Sequence, residues 1–151
     1  ISNLVNGKID GNDQVVAPFR YTGDGAVLRN IRIRMNINTS QKFASTIVGQ
    51  HLNGVCMLEH CETDGTITSS VNGDGSHGGL VGLLNGGVLL IDKCETSITV
   101  KGASTTNCGG FVGWRGANAF CHITNSESYT KSDNQTEARS EERFSRNAET
   151  D

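Results

Sequence analysis

The chain is predicted to be all-β, a right-handed parallel β-helix of about four coils over residues 1–130 with a charged tail over 131–151. Three observations carry that prediction. The first is a repeat: His77-Gly78-Gly79-Leu80-Val81-Gly82, followed by Val88-Leu89-Leu90-Ile91-Asp92-Lys93-Cys94-Glu95-Thr96, has one copy before it and one after it. The second is clean two-residue alternation, with Ile31, Ile33, Met35 and Ile37 on one side and Arg32, Arg34, Asn36 and Asn38 on the other, which is the period of a half-buried strand. The third is composition. Glycine supplies 19 of 151 residues and proline one, so tight turns fall to Gly, Asn and Asp, and the i, i+3, i+4 spacing of helical repeats is missing.

The upstream copy is Thr46-Ile47-Val48-Gly49 with Val55-Cys56-Met57-Leu58-Glu59-His60-Cys61-Glu62-Thr63, and the downstream copy is Cys108-Gly109-Gly110-Phe111-Val112-Gly113 with Phe120-Cys121-His122-Ile123-Thr124-Asn125-Ser126-Glu127-Ser128. Superposing the Val-Gly pairs sets Gly49, Gly82 and Gly113 in one column, at nearly even steps. A weaker fourth copy, Ala26-Val27-Leu28-Arg29-Asn30-Ile31-Arg32-Ile33, aligns Ala26 with Cys56 at a similar step. Periods between about 20 and 50 residues mark solenoids. A unit made of strands too short to bury themselves is satisfied by winding into a coil, each strand pairing in parallel with its equivalent about 4.8 Å away.

Taken in order, residues 1–25 are short apolar pieces, Ile1 to Leu4, Ile9 and Val15 to Phe19, split by turn residues, and read as brief strands. From Ile31 onward each repeat carries an alternating strand, starting at Ile31, Cys61, Cys94 and Ser126. Inward residues Leu28, Ile91 and Ile123 lie three positions earlier, an odd spacing that would reverse the strand face unless the chain bends at Asn30, His60, Lys93 and Asn125. Asn favours positive φ. Gly78-Gly79 and Gly109-Gly110 mark a second corner, and Asn53-Gly54, Gly86-Gly87 and Gly116 to Asn118 a third, which predicts three strands per repeat.

Gly79-Leu80-Val81-Gly82 and Gly110-Phe111-Val112-Gly113, each followed by a Gly-rich turn and a hydrophobic strand, resemble the GLUG motif repeat of bacterial surface proteins and of regions attached to immunoglobulin A metallopeptidases. The resemblance covers about residues 1–130. It implies a right-handed β-helix on an exported protein at the surface of a bacterium, used in adhesion or as a spacer, with no catalytic residue in this segment. The chain begins at Ile1 without methionine and reads as a segment of a longer protein.

Net charge of −3 leaves no basic face for neutralising phosphates, which excludes nucleic acid as a partner. No apolar run approaches the roughly 18 residues that cross a bilayer. The five cysteines, at 56, 61, 94, 108 and 121, read as buried thiols, because Cys61 and Cys94 interchange with Ile31. A bridge between the stacked neighbours Cys61 and Cys94 is the alternative. Cys56 and Cys121, two copies apart, are too distant to pair.

Stacking also aligns Glu62, Glu95 and Glu127 in an outward carboxylate column, with Arg32 in the first coil. Such a column is a solvated face, a cation or ligand contact, or, at spacings near 5 Å, the acid pair of a carbohydrate-active enzyme. Trp114, in the turn after Val112-Gly113, is packing or a sugar-stacking residue. His77 and Cys108 are equivalent, but no Cys-x-x-Cys or His-x-x-x-His spacing accompanies them, so no metal is expected. P-loop, dinucleotide-binding and nucleophile-elbow motifs are missing, and no cofactor is expected. The tail is dense in Asp, Glu, Lys and Arg, lacks glycine, and has Phe144 as its one large apolar side chain, which leaves a linker or a short C-terminal helix capping the coil.

The expected function is therefore a noncatalytic module that binds a host protein or glycan, or holds neighbouring domains apart. A carbohydrate-active enzyme using Glu62 and Glu95 is the competing expectation.

Overall fold

A computed structural model describes residues 4–11, 15–72, 75–102 and 107–132. Every element among them is a strand, and the strands wind into a parallel β-solenoid. The chain enters through β1 (Leu4–Gly11). The first coil is β2 (Val15–Val16), β3 (Phe19–Thr22), β4 (Ala26–Arg29) and β5 (Arg32–Thr39), and the second is β6 (Phe43–Ser45), β7 (Val48–His51), β8 (Val55–Glu59) and β9 (Glu62–Ser69). The third is β10 (Ser76–Gly78), β11 (Val81–Leu84), β12 (Gly87–Asp92) and β13 (Glu95–Lys101). The fourth is β14 (Asn107–Gly109), β15 (Val112–Arg115), β16 (Ala119–Thr124), β17 (Glu127–Ser128) and β18 (Lys131–Ser132).

Each strand pairs with its equivalent one coil away, so four sheets run the length of the rod. Sheet A orders β1-β5-β9-β13-β17, with β18 also on β13. Sheet B orders β14-β10-β6-β2, sheet C β15-β11-β7-β3 and sheet D β16-β12-β8-β4. Connections between parallel strands are right-handed in about 98% of cases, which gives the coil its hand. The repeat registers as aligned by sequence: Val81 pairs with Val48 on one side and Val112 on the other, and Ala26 pairs with Cys56. Of the tail or capping helix expected over 131–151, the first two residues are strand β18 on the last rung, and the rest lies outside the described residues.

The corner between sheets D and A forms where the odd spacing requires it. Asn30, His60, Lys93 and Asn125 all sit in the left-handed region, at φ of 56°, 50°, 52° and 50°. At the C-to-D corner Gly54 and Gly87 have φ of 80° and 74°. One expectation is corrected: each coil has four sides, one in each sheet, not three. The missed corner joins sheet A to sheet B through connections of unlike length and composition, Ser40 to Lys42 in one coil and Ser70 to Gly75 in the next. The strands it leads to, Phe43–Ser45, Ser76–Gly78 and Asn107–Gly109, are three residues each and show no apolar alternation.

The core is a filled tube of like residues in files. Ile33, Met35 and Ile37 of sheet A meet Leu58, Leu89, Ile91 and Ile123 of sheet D, and Ile47, Leu80, Phe111 and the three valines close the other side. Burying a Leu- or Ile-sized side chain stabilises by about 1.5–3 kcal/mol, so files repeated over four rungs supply the cohesion that no single rung has. The final glycine of the repeat motif has a steric cause. A Cβ on Gly82 would lie 2.7 Å from Gly49 O and 3.1 Å from Ala44 N and O, and one on Gly113 would lie 2.7 Å from His77 N. Sheets B and C approach too closely there for any side chain.

Candidate functional site

The carboxylate column forms as the stacking requires. Arg32, Glu62, Glu95 and Glu127 are register partners on adjacent strands of sheet A, and all four are solvent-exposed. Three inter-coil ion pairs flank its start. Arg32 donates to Glu62 through Nε at 2.9 Å and Nη2 at 2.5 Å, Arg34 donates to Asp64 at 2.9 Å, and Arg29 pairs with Glu59. At the far end the Tyr129 hydroxyl donates to Glu127 at 2.5 Å. Asp92, one corner away, accepts from Asn125 and Thr124 at 2.9 and 2.8 Å, and these two bonds hold its carboxyl below the usual range. Glu62, Glu127 and Asp92 are thus hydrogen-bonded to neighbouring side chains, and Glu95 is exposed. A general acid instead requires a carboxyl raised by burial.

Trp114 is 48% exposed and lies in sheet C, in register with Leu83, Gln50 and Tyr21. The glutamate column is on sheet A, and sheet D lies between A and C along the chain, so the structure does not bring Trp114 to the acids. Trp114 stands in β15, the strand that precedes the corner opening sheet D. There two outward files run side by side, Val55, Val88 and Phe120 in one, and Val27, Met57, Leu90 and His122 in the other. Phe120 is 66% exposed and Val27 53%, while Met57, Val88 and Leu90 are half-buried. This apolar face was missed by the sequence reading, which took Val88 to Ile91 as one hydrophobic strand. Because side chains alternate across a strand, burying Leu89 and Ile91 forces Val88 and Leu90 outward. That was the available signal.

Inside the tube the polar residues also form files. Thr22 and His51 hydrogen-bond at 3.0 Å, and His51 Nε2 meets Gly54 O at 3.0 Å. His77 is fully buried between its register partners Ala44 and Cys108, neither ring nitrogen has a hydrogen-bond partner among the described residues, and burial pushes its pKa below the ordinary value. No disulfide joins the five cysteines. Among the described residues no three His, Cys, Asp or Glu side chains converge to hold a metal ion, and no helix is long and apolar enough to cross a membrane.

Fold and surface together define a solenoid repeat module with a charged flank and an apolar flank. No family model matches the chain, and no solved structure does. The chain is similar to Halomucin of Haloquadratum walsbyi (strain DSM 16790 / HBSQ001), at 33% identity over 120 residues. Those residues are 79% of this chain and 1% of Halomucin, so the chain spans a very small part of that protein's length.

Proposed function

We propose that this chain is a noncatalytic β-helix module of an exported surface protein, a stiff rod that presents its sheet D face to a glycan or protein partner while spacing its neighbours. The observation that carries the reading is the outward apolar face, Val27, Val55 and Phe120 with half-buried Met57, Val88 and Leu90; Trp114 is exposed on sheet C, in the strand that leads into it. A rod stabilised by its interior has no structural need for such a face, and contiguous exposed apolar surface marks contact sites. Similarity to a segment of a very long protein named Halomucin supports the surface setting, as does the resemblance to GLUG repeats. The bonded, exposed state of Glu62 and Glu127 supports the noncatalytic reading over a carbohydrate-active enzyme.

The test is a panel of immobilised polysaccharides and surface glycoproteins, probed with the chain and with Trp114→Ala and Phe120→Ser. Retention of the chain, weakened at least tenfold by either substitution and unaccompanied by cleavage, agrees with a binding module. Retention unchanged by both substitutions removes the sheet D face from the account, and release of shortened sugar chains overturns the noncatalytic reading.

A further inference from the structure

We propose that Cys61 and Cys94 form a disulfide across adjacent coils, a covalent clip at the D-to-A corner. The two residues are equivalents at the D-to-A corner, each immediately before one of the parallel strands β9 and β13: the next residues, Glu62 and Glu95, are register partners, and Glu95 N donates to Cys61 O at 2.8 Å. Neighbouring strands lie about 4.8 Å apart, inside the roughly 4.4–6.8 Å between Cα atoms that a disulfide spans. The thiols repeat one pattern: Cys61 Sγ donates to Glu59 O and Leu28 O at 3.5 Å, and Cys94 Sγ to Asp92 O at 3.3 Å and Leu58 O at 3.5 Å. The two thiols also interact with each other, which lowers the Cys61 pKa and raises that of Cys94.

No other cysteine has such a neighbour in register. Cys56 and Cys121 both pair with Leu89, from opposite sides, and Cys108 pairs with His77. Exposures of 1% and 2% at Cys61 and Cys94 keep an oxidant away once the coils are closed, so the bond forms while they assemble. With a small-molecule disulfide as oxidant, the Cys61 thiolate attacks one of its sulfurs and expels one thiolate. Cys94, losing its proton to solvent, then displaces the second thiolate from Cys61. Two protein thiols become one disulfide, and the small disulfide is reduced to two thiols. The inference stands apart from the proposed surface role, since it needs the register alone.

The test is refolding of the reduced chain in mixed reduced and oxidised glutathione, followed by alkylation and trypsin. Cleavage after Lys42, Lys93 and Lys101 places Cys61 and Cys94 on different peptides, Phe43 to Lys93 and Cys94 to Lys101. The expected result is those two peptides joined, lighter by two hydrogens than their reduced sum, with Cys56, Cys108 and Cys121 alkylated. Cys61→Ser and Cys94→Ser should each abolish the joined species while keeping the β-sheet circular dichroism, because Ser126 already holds this position and donates to Thr124 O at 2.7 Å. Alkylation of all five cysteines in the refolded chain overturns the proposal. So does a joined species that survives Cys61→Ser, which would assign the bond to Cys56.

Discussion

Lys93 lies directly over His60 in one left-handed corner, at φ of 52° and 50°, with Asn30 and Asn125 in the coils at either end. A left-handed conformation costs a side chain bearing an ordinary Cβ about 1–2 kcal/mol, and Asn tolerates it best after Gly. Lys93→Asn is therefore expected to stabilise the chain by about 0.5–1 kcal/mol, read as a higher urea midpoint at unchanged slope. Destabilisation by a similar amount would show that the Lys93 side chain contributes more than its backbone costs.

His77 links stability to pH. Burial depresses its folded pKa below the ordinary 6.5, and among the described residues neither nitrogen has a partner. The unfolded chain therefore takes up the proton first as pH falls. The contribution of the neutral ring is fully present above pH 6.5 and is lost as pH drops from there through the folded value. His77→Ala, which places in this file the residue that Ala44 already supplies, should lower stability at neutral pH and flatten the slope of stability against pH below 6.5. An unchanged slope in thermal melts across that range would exclude His77 as its source.

The ion pairs of sheet A are exposed, with side-chain exposure of 70% at Arg32 and 48% at Glu62. Exposed pairs contribute about 0.2–1 kcal/mol and weaken with salt. Arg32→Ala is expected to cost less than about 1 kcal/mol at low salt, a difference that shrinks in molar sodium chloride. A loss that persists at high salt would instead assign the effect to packing of the Arg32 stem.

Gly82→Ala pushes a methyl group against the backbone of Gly49 and Ala44, and nothing in a packed rung can yield cheaply. A loss of about 1–3 kcal/mol is expected, whereas Gly23→Ala, with nothing near its Cβ, should stay within about 0.5 kcal/mol. Equal effects at the two positions in chemical denaturation would contradict the close approach of sheets B and C.

Most of the fold was legible in the sequence because stacking makes equivalent residues meet identical surroundings. Repetition of Val-Gly therefore gave the register, and the odd offset between Leu28 and Ile31 required the bend that Asn30 makes. The A-to-B corner was not legible, since Ser40 to Lys42 and Ser70 to Gly75 differ in length and, after the opening serine, in every residue. The glutamate column followed from register alone. The ion pairs beside it, Arg29 with Glu59 and Arg34 with Asp64, were hidden, because pairing depends on side-chain reach. The apolar face was overlooked because a hydrophobic run draws attention to what it buries and not to the alternate residues it must expose, Val88 and Leu90.

The stacking of equivalent residues one coil apart is tested most directly by through-hydrogen-bond scalar couplings in the isotope-labelled chain. Correlations are predicted from the amide nitrogens of Glu62, Glu95 and Glu127 to the carbonyl carbons of Ile31, Cys61 and Cys94, the acceptors at 2.8, 2.8 and 2.9 Å. Couplings from those amides to carbonyls within their own coil, or to an antiparallel partner, would contradict the solenoid and the surfaces built on it.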